Sequence, residues 1–288
     1  MSLLALPLAS CLMTTWAGAW LAQQKHPKWT RALPALLAIP WLLAMAYYAH
    51  VVDVGWYFEW RSWRLTDVLI GAVGLPVGFY GSLWVTTSST RTRHLLLLIM
   101  ASMLVVVAHA KPLLRPLHLD AKDQRWRDDV CLQTTASTCG PCATATVLRA
   151  LDVDVTEHAL ARDAYSDGGG TLNWLLARAL RDRGFDVRFS APTSLDDVVA
   201  PAVIGVKLSG GYGHFLALME NDGGDVVIGE PLRGRLQMTH AEFKQRYRLQ
   251  PFALHITPPP RAASHRREPR QTAPDAGGLG ARPAPSTP

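Results

Sequence analysis

Fixed charge is almost missing from the first 110 residues. Seven basic residues (Lys25, Lys28, Arg31, Arg61, Arg64, Arg91 and Arg93) and three acids (Asp53, Glu59 and Asp67) are all that this stretch carries. A soluble helical core of that length needs polar outer faces, and so few charges cannot build them. Cysteine is also scarce, with four in 288 residues, which excludes the small scaffolds held together by disulfides. No GxxxxGK[ST] run occurs, so the chain has no phosphate-cradling ATPase loop, and no internal repeat is found. From Pro258 to Pro288 large apolar residues nearly vanish. Such a segment cannot bury enough surface to offset its ordering entropy and reads as a disordered tail. Its arginines (Arg261, Arg266, Arg267, Arg270 and Arg282) read as solvated charges, and no nucleic-acid partner is expected despite the net charge of +6.

Four apolar stretches fill the charge-poor region: Leu3–Ala22, Leu33–Val52, Leu65–Val85 and Leu95–Ala110. Crossing a bilayer takes roughly 20 mostly apolar residues in a helix, because lipid offers the backbone no hydrogen-bond partner. Eight of the ten tryptophans lie here, and Trp56, Tyr57, Phe58, Trp60 and Trp63 crowd one connection, the composition of an aromatic girdle at a headgroup interface. The expectation is a multi-pass inner-membrane region of four spans, 1–112, a folded domain, 120–257, and the tail, 258–288. No basic residue precedes the first stretch, which continues past Cys11, so it reads as a span and not as a cleaved leader. Basic residues in loops 23–32 and 86–94 outnumber those in loop 53–64, which leans the folded domain toward the extracytoplasmic side.

In the folded domain, Cys139–Leu151 has helical spacing with Ser137 or Thr138 as its cap and Pro141 in its first turn. Thr156 caps a second helix to Tyr165, and Thr171 caps a third, Leu172–Arg183, stopped by Gly184. Strand-like runs follow at Phe185–Phe189, Ala202–Leu208, His214–Glu220 and Asp225–Gly229, with a hairpin turn at Asn221-Asp222-Gly223-Gly224. Helices first and an antiparallel sheet after them predict an α+β fold.

Three of the four cysteines fall within "CLQTTASTCGPC", residues 131–142. Cys139 opens the first helix, where backbone N–H groups and the helix dipole favour a thiolate. A nucleophilic thiolate needs a base, and the base needs orienting. A hairpin turning at Asp222-Gly223 places His214 opposite Glu230 or Pro231, an imidazole beside a carboxylate. Gln133 can offer a side-chain N–H to a developing oxyanion. Other readings of the cysteines stay open. CGPC is a dithiol redox signal, but the preceding strand and βαβ pattern of a thioredoxin-like fold are missing. Zinc held by Cys131, Cys139 and Cys142 lacks a second ligand pair at suitable spacing, and neither metal nor cofactor is expected. Cys142, one turn past Cys139, reads first as packing, and a silencing Cys139–Cys142 disulfide is a further hypothesis.

These residues resemble a known family. Gln133, a five-residue gap and Cys139-Gly140-Pro141 are similar to the motif of the C39 cysteine peptidases, a bacteriocin-processing family with a papain-like fold. "ATATVLRALDVDVTEHALARDA" and "GGTLNWLLARALRDRGFDV" look like its helical segments, "GHFLAL" its histidine strand, and "GEPLRG" its Asp-Pro-x-x-Gly. The resemblance spans residues 130–248 and implies Cys139 as nucleophile, His214 as general base, Gln133 as oxyanion donor and Glu230 as orienting carboxylate, with glutamate where the family has aspartate. It implies cleavage of a peptide or protein substrate. Export machinery, where needed, would act in trans. A peptide-binding module that has lost turnover is the reading from a different class.

Overall fold

The computed structural model describes residues 3–24, 55–84, 89–109, 111–120 and 123–259. The expected span Leu33–Val52 and the tail beyond Pro259 lie outside the described residues.

The N-terminal part is helical: α1, Ala5–Gln23; α2, Gly55–Ser62; α3, Leu65–Gly71; α4, Gly74–Trp84; and α5, Thr90–His109. Among the described residues, two stretches are long and apolar enough to cross a membrane, Ala5–Gln23 and Leu65–Leu83. The second combines α3 and α4 across a short turn. Helix α1 lies against α3 and α4 through a seam of small residues. A Cβ on Gly78 would sit 2.0 Å from the Thr15 carbonyl oxygen, and one on Gly18 would sit 2.2 Å from that of Leu75. The Ser10 hydroxyl donates to the Val68 carbonyl at 2.8 Å and that of Thr14 to the Gly71 carbonyl at 2.9 Å. Close backbones and hydroxyl-to-carbonyl bonds are the packing devices of helices that cannot rely on the hydrophobic effect.

The folded domain is α+β. A small ribbon, β1 (Arg125–Arg127) with β2 (Val130–Leu132), precedes α6 (Cys139–Ala150), α7 (Glu157–Asp163) and α8 (Asn173–Asp182). The main sheet contains β3 (Asp186–Ser190), β4 (Ala202–Lys207), β5 (Gly213–Asn221), β6 (Asp225–Glu230), β7 (Gly234–Thr239) and β8 (Arg248–Thr257), in the order β3-β8-β4-β5-β6-β7 and antiparallel throughout. Helix α9 (His240–Arg246) links the last two strands. Strand alternation sorts the core into two layers. Val203, Ala217 and Leu254 join the helices, while Ile204, Leu216, Leu218 and Ile228 join Phe243 and Tyr247 on the other face.

Local corrections follow from packing. Thr156 does cap α7, accepting from the Ala159 N–H at 3.1 Å. Thr171 does not cap α8: Leu172 holds that position, and the Thr171 hydroxyl bonds Ser166 at 2.6 Å. Strands β7 and β8 escape the sequence reading because β7 is short and polar on alternate positions, and β8 is broken by Pro251.

The aromatic run near residue 60, expected as a headgroup girdle, divides. Tyr57 and Phe58 of α2 are buried against the folded domain, while Trp60 and Trp63 stay exposed. The Phe58 ring lies 5.6 Å from Phe252, 5.8 Å from Phe189 and 6.3 Å from Trp174. A second apolar surface was on offer, and rings buried there leave water more completely than at an interface. Beside this cluster Arg178 of α8 is buried with Asp67 of α3. Its guanidinium donates to both carboxylate oxygens, at 2.8 and 3.2 Å, and to the Arg61 carbonyl at 3.0 Å. Arg64–Asp182, Arg181–Ser62 and Arg181–Glu59 extend the seam.

Arg178→Ala would strand a buried carboxylate, at a cost of about 3–5 kcal/mol. The expected outcome is a lower midpoint for thermal unfolding in detergent, with the double variant Arg178→Met, Asp67→Leu recovering most of the loss.

Candidate active site

Cys139 is the first residue of α6, and it is half-buried while Gly140–Leu148 are buried behind it. Thr138 holds the cap position, but its hydroxyl turns back to the Thr135 carbonyl at 3.1 Å and makes no cap bond to the helix. No side chain therefore competes with the sulfur for the positive end of the dipole. Gly140 is a tight contact. A Cβ there would lie 3.2 Å from the Phe215 ring, so the helix mouth presses directly on the strand that carries the histidine.

His214 lies near the start of β5, and Glu230 ends β6, at the same end of the sheet. The His214 Nε2 and Glu230 Oε1 are 2.6 Å apart, with His214 6% and Glu230 2% exposed. The Cys139 side chain lies close enough to the ring to act on its charge. With Nε2 held by the carboxylate, Nδ1 is the nitrogen left for the sulfur. The expected register is corrected here. Observed partners are Asn221↔Val226 and Glu220↔Val227 next to the turn, then Leu218↔Ile228 and Ala217↔Gly229, so the turn centres on Gly223-Gly224, one residue later than expected. On its other side His214 pairs with Val206 of β4. Its contact with Glu230 is made by side chains beyond the end of the β5–β6 ladder.

Two groups unnoticed in the sequence complete the carboxylate's shell. The Tyr247 hydroxyl donates to Glu230 Oε2 at 2.9 Å, and the Leu232 N–H donates to Oε1 at 3.2 Å. Tyr247 follows α9, whose start is readable from the Thr239-x-x-Glu242 capping box, but nothing local links it to Glu230. Burial alone would lower the pKa of His214. Hydrogen bonds to Cys139 and Glu230, with their charges, override it and lift the value to about 9. Burial would likewise raise Glu230, yet the His214 hydrogen bond and charge hold it below its ordinary value. Both shifts favour an imidazolium–carboxylate pair.

Gln133 lies just past β2. Its backbone N–H donates to the Pro231 carbonyl at 2.9 Å, which ties it to the Glu230 turn. Its side-chain amide donates to the Thr135 carbonyl at 2.7 Å, and its Oε1 is buried without a partner. Cys142 is fully buried, as a packing residue should be. Burial pushes its thiol's pKa up, and Cys131 beside it adds to the rise. Cys131, Cys142 and Glu157 bring their ligand atoms within 4.8 Å of one another. The cysteines that gather are thus not the three of the zinc alternative, since Cys139 is not in this group.

Residues 127–260 match the profile of the peptidase C39 family. A protein described as uncharacterized from Methanothermobacter thermautotrophicus is 32% identical over 116 residues, 40% of this chain and 80% of the relative. A similar one from Methanothermobacter marburgensis is 28% identical over 113 residues, 39% of this chain and 78% of the relative. Among solved structures, the peptidase domain of Streptococcus ComA, a bi-functional ABC transporter involved in quorum sensing, is 19% identical. It covers 44% of this chain and 96% of its own at a TM-score of 0.40. A double-glycine-motif protease from an AMS/PCAT transporter, in complex with a leader peptide, is 20% identical, with 45% and 91% covered and a TM-score of 0.40.

Because the His214 pKa is raised from 6.5 to about 9, its contribution to stability is full below about pH 6.5 and is lost as pH rises through about 9. The thermal midpoint is expected to fall between pH 7 and pH 10, and Glu230→Gln should flatten that fall. Scanning fluorimetry across the pH series measures both.

Proposed function

This chain belongs to the peptidase C39 family, and from that membership we propose that it is a membrane-anchored cysteine peptidase whose nucleophile is Cys139. The observation that carries the reading is the buried His214–Glu230 pair, with Cys139 at the helix mouth close enough to act on the ring. A thiol at an uncapped helix mouth, beside an oriented imidazole, is the arrangement for nucleophilic acyl transfer.

In this mechanism the Cys139 Sγ attacks the scissile carbonyl and its C=O electrons move onto oxygen. The oxyanion is met by the Cys139 backbone N–H and by the Gln133 amide N–H not committed to Thr135. The His214 imidazolium protonates the leaving amine as the C–N bond breaks, leaving a thioester. Neutral His214 then takes a proton from water, hydroxide adds to the thioester, and the thiolate departs with the acid product. Glu230 holds the ring and stabilises its charged form. Glutamate replaces the family's aspartate, and its longer arm has one more torsion to fix; Tyr247 and the Leu232 N–H bond both oxygens and fix it.

The anchor is the helical part. Leu12, Met13, Trp16 and Trp20 of α1 and Leu95, Ile99, Met100 and Met103 of α5 are exposed apolar side chains. A patch of that size on a water-facing surface is unusual, and a bilayer accounts for it. The domain division read from the sequence is kept, with the peptidase unit at 120–257. Substrates are peptide segments close to the membrane. The domain leans extracytoplasmic on loop charge alone.

Cys139→Ala should abolish release of peptides that appear with wild type, read by comparative peptidomics of membranes. Cys142→Ser should keep turnover, which a dithiol oxidoreductase could not do. Tyr247→Phe should lower kcat roughly tenfold, the size of one buried hydrogen bond to a charged group, with KM little changed. A change in KM alone would assign Tyr247 to substrate binding.

A further inference from the structure

Four cysteines are free in the described residues, and the sulfurs of one pair lie within 4.8 Å. Cys131 lies on β2 and Cys142 in the first turn of α6. Both are 0% exposed. Their backbones are already bridged, since the Cys131 N–H donates to Thr146 Oγ1 at 3.0 Å and that hydroxyl donates to the Cys142 carbonyl at 3.1 Å. The strand and the helix are therefore held at a fixed approach where the two thiols face each other. Glu157 is the third group in reach, but its Oε1 accepts from both the Thr134 N–H and hydroxyl, at 3.0 and 3.1 Å. Cys139, three residues from Cys142 in CGPC, is engaged by His214 instead.

We propose that Cys131 and Cys142 form a disulfide, with Cys139 left as the free thiol. The oxidant is a small-molecule or protein disulfide of an oxidising compartment, which reaches the buried pair while the chain folds or opens locally. One cysteine thiolate attacks it, giving a mixed disulfide and expelling a thiolate; the second cysteine attacks the mixed disulfide and expels the other thiolate. The two protons from the cysteines end on the two released thiols. The link closes residues 131–142, the segment that carries both Gln133 and Cys139. It removes conformational freedom from the unfolded chain and leaves the catalytic sulfur untouched. This inverts the pairing that CGPC invites, where oxidation would silence the nucleophile. The link stands apart from the peptidase reading: it stabilises the fold and is not needed for turnover.

The test is a linkage map of the full-length protein purified in detergent and equilibrated with oxidised glutathione. The protein is denatured in iodoacetamide, reduced, treated with N-ethylmaleimide and digested with trypsin. One peptide, residues 128–149, carries all three cysteines, and fragmentation assigns each label. The expected result is iodoacetamide on Cys139 and maleimide on Cys131 and Cys142. In Cys131→Ser or Cys142→Ser, the remaining partner should take iodoacetamide. Oxidation should raise the thermal midpoint of wild type but of neither variant. Iodoacetamide on all three cysteines, or maleimide on Cys139 together with Cys142, overturns the proposal. So does one equivalent of zinc in the protein as isolated, lost in both variants, which would assign the pair to a metal. No turnover is read, so an inactive enzyme with the expected map would sink the peptidase reading and leave the disulfide standing.

Discussion

The buried contact between His214 and Glu230 is the constraint on which the rest of this domain depends. An imidazole and a carboxylate taken out of water together are tolerable only when every lone pair and proton is placed. Here the Tyr247 hydroxyl and the Leu232 N–H complete the carboxylate, and Cys139 lies close enough to act on the ring. Four parts of the chain must therefore arrive at one point: the mouth of α6, the start of β5, the end of β6 with its turn, and the residue after α9. The sheet order makes this feasible, because β5 and β6 are neighbours, β7 flanks β6, and α9 then carries the chain across to β8 beyond β4.

The second organising contact is between the helical part and the peptidase domain. Helix α2 lies across the domain, with Phe58 inserted among Trp174, Phe189 and Phe252. Phe252 in turn packs on Phe215 at 5.5 Å, and Phe215 presses on the helix mouth at Gly140. The helical part and the candidate site thus share one continuous aromatic core. The buried Arg178–Asp67 pair sets its angle, since a bidentate fork tolerates little rotation.

Much of this was legible in local pattern. Helix α6 ends within a residue of its expected end, Thr156 caps where a threonine before an acid should, and the hairpin about Asp222-Gly223 is present. These features depend on residues within a few positions of one another. The errors have the opposite character. Thr171 turned to Ser166 because a nearby hydroxyl offered a better partner than its own helix. The register of β5 and β6 differs because the turn sits on Gly223-Gly224, one residue beyond the centre that Asp222-Gly223 suggested. In the tryptophan-rich connection Tyr57 and Phe58 went to the folded domain, because composition counts apolar area without knowing which surface will cover it.

The sequence by itself determined the candidate groups and the segments that carry them: a cysteine at a helix start, a histidine and an acid flanking one hairpin, and a charge-poor apolar front half. Those are properties of single segments, set by backbone hydrogen bonding and side-chain period. Only the tertiary structure decided the partnerships. Tyr247 meets Glu230, Arg178 meets Asp67, and Cys142 meets Cys131 and not Cys139. Each joins segments whose approach is set by how whole elements pack, and packing energy is a sum over many distant contacts that no local stretch of sequence contains.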